Sequence, residues 1–191
     1  MNWVKLPQNG IVRGLYATPE PAEFLTTPFS QLPFEIDGIP GDRHSGVSRQ
    51  SGSREKKLYP KGTLIRNNRQ WSALSVEELE GIATRMGIEK MLPEWAGANV
   101  LIQGVEKLTQ IPSLSLLKFF HREVPGPVLV VYGENKPCHH PHAAAEKALQ
   151  KELEVPFSKA AAHCRGLVGW VEKPGTAYVG DSVEVWIPAS A

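Results

Sequence analysis

Glycine and proline interrupt this chain too often for a long helix to form. The 191 residues include 17 glycines and 16 prolines, about 17% of the chain where about 12% is usual. The longest apolar stretches, such as residues 128–132, are strand-sized and fall far short of the roughly 20 residues that cross a bilayer. The sequence therefore predicts a soluble, β-rich domain with a few short helices, and it excludes a helical bundle and a membrane-spanning protein.

The segments between these breakers predict the elements of one domain with a core from about residue 10 to residue 187. A capping box at Ser75 opens a helix at residues 76–86, and Gly87 ends it. A second, alanine-rich helix is expected at residues 143–153. The final strands are separated by short turns, which favours a β-meander. Strands are predicted at residues 11–17, 34–37, 71–74, 100–102, 114–120, 128–132, 167–171, 176–179 and 182–187.

The N-terminus lacks the charged leader and apolar run of an export signal, so we expect a cytoplasmic protein. In a reducing compartment Cys138 and Cys164 are expected as free thiols rather than as a disulfide.

Positive charge is concentrated in one segment of a nearly neutral chain. Residues 43–69 contain eight lysines and arginines but one acid, Glu55. Such a segment attracts an anion, although a solvated basic loop is the plain alternative. Nucleic acid is disfavoured because the segment has one aromatic residue, Tyr59, and the pI of the chain is about 7.8. A small phosphorylated or carboxylated ligand fits better.

Three polar stretches overlap this basic segment. Gly38, Gly41 and Gly46 free the backbone of a loop whose N–H groups can converge on an anion, although most such spacings are simple turns. Residues 49–63 resemble a long mobile loop that could act as a lid. Residues 66–70 follow with five polar side chains that alternate between two faces.

Cys138 is the candidate reactive residue. It lies in a strand-to-helix turn, where the helix N-terminus, Lys136 and His139 all favour the thiolate. A small buried thiol is the alternative, and Cys164 lacks such a setting. The neighbouring histidines do not have the spaced pairs of a structural zinc site, whereas a softer metal held by Cys138 within a cofactor stays open.

Several motifs in order resemble a stand-alone bacterial MOSC domain, the C-terminal domain of molybdenum-cofactor sulfurases. They extend over nearly the whole chain and are residues 38–46, 65–70, 94–100, 133–138, 165–172 and 179–183. The resemblance implies a β-barrel-like fold related to the pyruvate kinase barrel, with α+β as the second choice. It also implies that Cys138 carries sulfur as a persulfide or ligates molybdenum, and that the chain binds a molybdenum–molybdopterin cofactor.

Two differences from larger members of the family mean that the resemblance alone does not identify the activity. The larger sulfurases are linked to pyridoxal phosphate, but this chain shows no cysteine-desulfurase domain and no pyridoxal phosphate site. It also lacks the N-terminal half of the related amidoxime-reducing enzymes. A cysteine desulfurase or another sulfur donor is the expected partner. The alternatives are a molybdenum-dependent reductase of N-hydroxylated compounds with a redox partner, and a non-catalytic module that binds a cofactor or anion.

The two lines of reasoning converge on one pocket beside Cys138. The basic segment and the glycine loop hold a phosphate there, and amide side chains add hydrogen bonds. The expected cofactor-binding residues are Gly41, Asp42, Arg43, His44, Arg66, Asn67, Arg69, Gln70, Asn99, Asn135 and Lys136.

Overall fold

The computed structural model describes residues 2–18 and 24–189. Within them, no helix is long and apolar enough to cross a membrane. The helices are α1 (Val76–Met86), α2 (Pro93–Ala96), α3 (His140–Leu149) and α4 (Phe157–Ala160). The strands are β1 (Trp3–Ala17), β2 (Thr27–Phe29), β3 (Gln31–Phe34), β4 (Ser48–Gln50), β5 (Leu64–Arg66), β6 (Trp71–Ser75), β7 (Val100–Gln103), β8 (Leu116–His121), β9 (Val124–Glu134), β10 (Leu167–Lys173), β11 (Gly175–Tyr178) and β12 (Ser182–Pro188).

Seven of these strands close into a barrel. Their order is β12, β8, β9, β10, β6, β7 and β1, and β1 pairs again with β12. An odd number of strands cannot alternate in direction around a closed ring, so at least one parallel pair is required. That pair is β6 and β7, which the chain connects through α1 and α2 because a tight turn cannot join parallel strands. The prediction of a β-rich, barrel-like fold is confirmed.

Apolar side chains fill the barrel and a second layer outside it. In β12, Val183 and Val185 are fully buried and alternate with partly exposed neighbours, as expected for a strand with one face inward. The outer layer packs α1, α3 and α4 together. The predicted helix at residues 76–86 is confirmed, with Ser75 accepting a hydrogen bond from the backbone N–H of Glu78 and Gly87 ending the helix in the left-handed conformation.

Other expectations about local structure were wrong. Strand β3 ends at Phe34, and the chain reverses so that Glu35 bridges Gly38, because residues 36 and 37 form a turn before that glycine. The alanine-rich helix begins earlier and ends earlier than expected, at Leu149, with Gln150 in the left-handed conformation. Pro141 lies in its first turn, as its fixed φ favours.

The predicted β-meander was also wrong, because none of the last three strands pairs with the next. Strand β11 pairs with β3, whereas β10 lies between β9 and β6 and β12 lies between β8 and β1. Most of the segment at residues 49–63, predicted as a long loop, connects β4 to β5, and these two strands pair with each other as a short ribbon.

Gly166 sets the close approach of β10 to β6, and its substitution tests that contact. Its φ is +80°, and a Cβ there would collide with the carbonyl of Ala73. Gly180 has a φ of +95°, but a Cβ added there would meet no atom within 4 Å, so it is the matched control. We expect Gly180→Ala to cost about 1–2 kcal/mol of unfolding free energy, the cost of the left-handed conformation alone. Gly166→Ala should lower the free energy of unfolding, measured by urea denaturation, by at least about 1 kcal/mol more than Gly180→Ala does. Equal losses in the two variants would contradict the close contact between Gly166 and Ala73.

Candidate functional site

A cavity of about 350 Å³ lies where the glycine loop, the β4–β5 ribbon and the segment before α3 meet. Its wall contains no aspartate or glutamate among the residues that the structure describes. Cys138 and two aromatic residues, Phe24 and Trp71, also line it. Five arginines surround the space, namely Arg43, Arg49, Arg54, Arg69 and Arg165. The cavity is therefore built for an anion.

Asp42 fixes the loop that carries Arg43 and His44. Its carboxylate accepts hydrogen bonds from the backbone N–H groups of Thr18 and His44, both at 2.9 Å, and from the Asn99 amide at 3.3 Å. Burial opposes ionisation, but the bonds from His44 and Thr18 outweigh it and hold the pKa of Asp42 at about 2. Asp42 is thus a buried anion behind the cavity wall and braces the loop rather than contacting a ligand.

Three amide side chains also brace the loop. Asn67 donates to the carbonyls of His44 and Gly46 at 2.7 and 2.9 Å. Gln70 donates to the carbonyl of Ile36 and accepts from the backbone N–H of Val171.

Asn99, directly before β7, completes this set. It accepts from the backbone N–H of Ser72 at 2.9 Å and donates to the carbonyl of Tyr16 at 3.1 Å. Asn99 and Gln70 are almost fully buried and do not line the cavity, so they support the site without facing it.

Arg69 lies between β5 and β6, and two hydrogen bonds hold it in place. Its Nη2 donates to Oδ1 of Asn135 at 2.9 Å, and its backbone N–H donates to Oδ1 of Asn67 at 3.1 Å. Burial lowers the pKa of Arg69 to about 10, and the positive charges of Arg54, Arg165 and Arg49 contribute to this lowering.

Arg165 is the site residue that sequence reasoning missed. It is only 5% exposed, and its Nη2 donates to the carbonyl of Ala96 at 3.0 Å. Burial lowers the pKa of Arg165 to about 10, while Cys138 acts in the opposite direction. In the sequence Arg165 opens the motif at residues 165–172, directly before Gly166 and the buried strand β10. Arg49 and Arg54 had been counted only as part of the basic segment.

Cys138 lies in the connection between β9 and α3 and is partly buried. The following rings form a stack, with 4.0 Å between the centroids of His139 and His140 and 5.0 Å between those of His140 and Phe24. Arg43 makes a further contact with this stack, 4.7 Å from the Phe24 centroid. Burial lowers the pKa of His140, and the positive charges of His139 and Arg43 lower it further.

The structure separates the predicted binding residues into two groups. Arg43, His44, Asn67, Arg69 and Asn135 line the cavity together with Cys138. The remaining six do not line it, and they are Gly41, Asp42, Arg66, Gln70, Asn99 and Lys136.

Arg66 was expected beside Cys138 and is instead exposed, with its guanidinium 5.8 Å from the centroid of the Trp170 ring. It pairs with Ser48 in the ribbon, whereas the cavity-lining Arg49 occupies the next position along β4. Successive strand residues face opposite sides, so Arg66 points away from the face that carries Arg49. Lys136 is likewise exposed.

The described residues contain no group of three or more His, Cys, Asp or Glu side chains that could hold a metal ion. The other thiol, Cys164, lies outside the cavity, where Nη2 of Arg85 is 2.9 Å from its Sγ. Burial raises the pKa of the Cys164 thiol.

Fold and site together define a barrel protein with a cysteine in the wall of a cationic cavity. The MOSC domain family model matches residues 46–184. The Bacillus subtilis protein YuaD, whose name gives metal-sulfur cluster biosynthesis as a candidate role, is 39% identical over 174 residues, which cover 90% of this chain and 88% of YuaD. This chain belongs to the MOSC domain family, and the resemblance drawn from the motifs is confirmed.

Solved structures agree with this assignment. The crystal structure of Bacillus subtilis YuaD has a TM-score of 0.88 and 35% identity, covering 98% of this chain and 100% of that one. YiiM from Geobacillus stearothermophilus has a TM-score of 0.59 at 12% identity, covering 92% of this chain and 74% of that one, and it shows a shared fold alone. The pyridoxal phosphate link of the larger sulfurases gains no support from these matches.

The two thiols should differ in reactivity. Cys138 opens onto the cationic cavity, whereas burial disfavours the thiolate of Cys164. Brief alkylation with less than one equivalent of iodoacetamide at pH 7 should label Cys138 first, as read by peptide mass spectrometry. The Cys138→Ser variant is the control and should react slowly. Preferential labelling of Cys164 in the unaltered protein would contradict the assignment of Cys138.

Proposed function

We propose that this protein binds a molybdenum–pterin cofactor in the arginine cavity and that Cys138 carries sulfur as a persulfide or ligates the molybdenum. The observation that carries the proposal is the position of Cys138 on a wall that it shares with five arginines and, among the described residues, no carboxylate. A phosphorylated, sulfur-containing ligand matches both features, because guanidinium groups bind phosphate and a thiolate is a soft metal ligand.

The unpaired polar atoms of the cavity fit such a ligand. Three buried donors on lining residues have no hydrogen-bond partner among the described residues, namely Nε of Arg49, Nε1 of Trp71 and Nε of Arg165. A buried donor without an acceptor costs about 1–3 kcal/mol. All three atoms donate, so the missing group must be rich in acceptors, as phosphate oxygens and a pterin ring are. The volume also lies within the usual range for small-molecule sites.

The residues of the wall have separate tasks in this proposal. The arginines hold the phosphate, and the braced loop keeps Arg43 and His44 in place without needing the ligand for support. His140 stacks on Phe24 and lines the cavity together with Cys138. When bound, the cofactor supplies the molybdenum centre to which sulfur is delivered or at which Cys138 is a ligand.

The sulfur-carrying step is a thiol–persulfide exchange. The Cys138 thiolate attacks the outer sulfur of a donor persulfide, so a new S–S bond forms at Cys138 while the donor S–S bond breaks. The donor leaves as a thiolate, and no external oxidant or reductant is consumed. Arg43 and Arg165 line the cavity together with Cys138, so their positive charges surround the space where the exchange takes place.

The proposed partner is a sulfur donor such as a cysteine desulfurase. The name of YuaD, which refers to metal-sulfur cluster biosynthesis, supports a role in sulfur or metal delivery. The Cys138 environment supports a carrier because a persulfide needs an accessible thiol protected from bulk solvent.

Incubation with glutathione persulfide, followed by mass spectrometry of the intact protein, tests the carrier role. The unaltered protein and Cys164→Ser should gain one sulfur atom, whereas Cys138→Ser should gain none. The mass gain should disappear on treatment with a reducing thiol, which removes the outer sulfur. Sulfur uptake confined to Cys164, or equal uptake by Cys138→Ser, would exclude Cys138 as the carrier.

A further inference from the structure

Two arginines of the cavity make no hydrogen bond to a carboxylate among the described residues. Arg165 is buried and Arg69 is partly buried. Arg165 donates from Nη2 to the carbonyl of Ala96, and Arg69 donates from Nη2 to Oδ1 of Asn135, so both acceptors are neutral. The carboxylate of Glu55 favours the charge of Arg69 electrostatically, but its hydrogen bonds go to Arg49. Burying a charge without a hydrogen-bonded counter-ion is costly, which makes this pair of side chains hard to explain as part of the fold alone.

The other arginines of the wall have nearby negative charge or water. Arg49 donates to both carboxylate oxygens of Glu55, with the shorter distance at 2.6 Å. Arg43 follows Asp42, whose carboxylate favours the charged guanidinium. Arg54 is exposed at the mouth, where water screens it.

The positive charges of Arg69 and Arg165 also repel each other. Arg165 lowers the pKa of Arg69, and burial lowers that of both groups to about 10. Nε of Arg165 is buried and has no partner among the described residues, although Nη2 is fixed by Ala96. A guanidinium anchored at one nitrogen presents its remaining N–H groups in a fixed fork, which matches the oxygens of a phosphate-like group.

We propose that Arg69 and Arg165 form the seat for a doubly charged tetrahedral oxyanion, with Asn135 and Ala96 orienting them. This inference deepens the proposed function and rests on it for the identity of the whole ligand. The two side chains come from the residues before β6 and β10, which are outside the glycine loop that the sequence indicated. Two sources share this chemistry, namely the phosphate monoester of an organic ligand and a free oxyanion such as phosphate or molybdate.

Titration calorimetry with inorganic phosphate, molybdate and a pterin phosphate tests the seat. Arg69→Met and Arg165→Met should each weaken phosphate binding at least about tenfold. A roughly tenfold loss is the low end of what the removal of one hydrogen bond to a charged group causes. Arg66→Met is the matched control, because Arg66 is exposed and outside the cavity, and it should bind within about twofold of the unaltered protein. Arg165→Lys should recover part of the affinity, since it keeps the charge but loses the fork.

The charge of the ligand gives a second measurement. A phosphate monoester takes its second negative charge near pH 6, so pterin phosphate should bind more tightly as the pH rises from 5 to 7. Much tighter binding of the monoester than of inorganic phosphate would identify the phosphate ester of an organic ligand as the natural occupant of the seat. Equal affinities identify the free oxyanion.

Three outcomes would overturn the seat. These are unchanged phosphate affinity in Arg69→Met and Arg165→Met, an equal loss in Arg66→Met, or no binding of any of the three probes by the unaltered protein. If Arg165→Met fails to fold, Arg69→Met and Arg165→Lys still decide. Sulfur uptake at Cys138 does not depend on these titrations, so loss of the seat with uptake intact would remove this inference and leave the carrier role standing.

Discussion

The buried carboxylate of Asp42 is the interaction on which the site depends. It joins the end of β1, through the backbone of Thr18, to the glycine loop and to Asn99. Asn99 continues the connection to Ser72 in β6 and to Tyr16 in β1. One anion with hydrogen bonds on several sides can stay ionised in the interior, as its low pKa shows. The loop that bears Arg43 is therefore fixed to the barrel before any ligand arrives.

Because Asp42 and Asn99 brace the loop, several arginines can line one cavity despite their mutual repulsion. Neutral acceptors orient the two most buried guanidinium groups, and the shape of the cavity is held by amides such as Asn67 and Asn135. The mutual repulsion of these groups is an electrostatic cost in the protein, and the proposed anion would relieve it on binding. Cys138 lines the same cavity as these charges.

Sequence reasoning was most successful where local physical chemistry decides the outcome. The cap at Ser75 and the stop at Gly87 defined α1, and the ordered motifs gave the barrel and the family. It was least successful where partners are distant in the chain. Short turns between the last strands suggested a meander, but turn chemistry does not specify which strand pairs with which. Arg165 was missed for the same reason, since its burial and its proximity to Cys138 arise only when β10 packs beside β6. The basic segment indicated a cationic site, but it did not show which of its side chains line the cavity.

The central claim, that the arginine cavity beside Cys138 holds a molybdenum–pterin cofactor, is tested most directly by analysis of freshly purified protein. Cells supplied with molybdate should yield protein that contains molybdenum, phosphorus and a fluorescent pterin oxidation product, with molybdenum and pterin in equal amounts. Arg69→Met purified alongside should lose all three, whereas Arg66→Met should keep them. Protein that carries neither molybdenum nor pterin under these conditions, or an Arg69→Met variant that retains both in full, would contradict the claim.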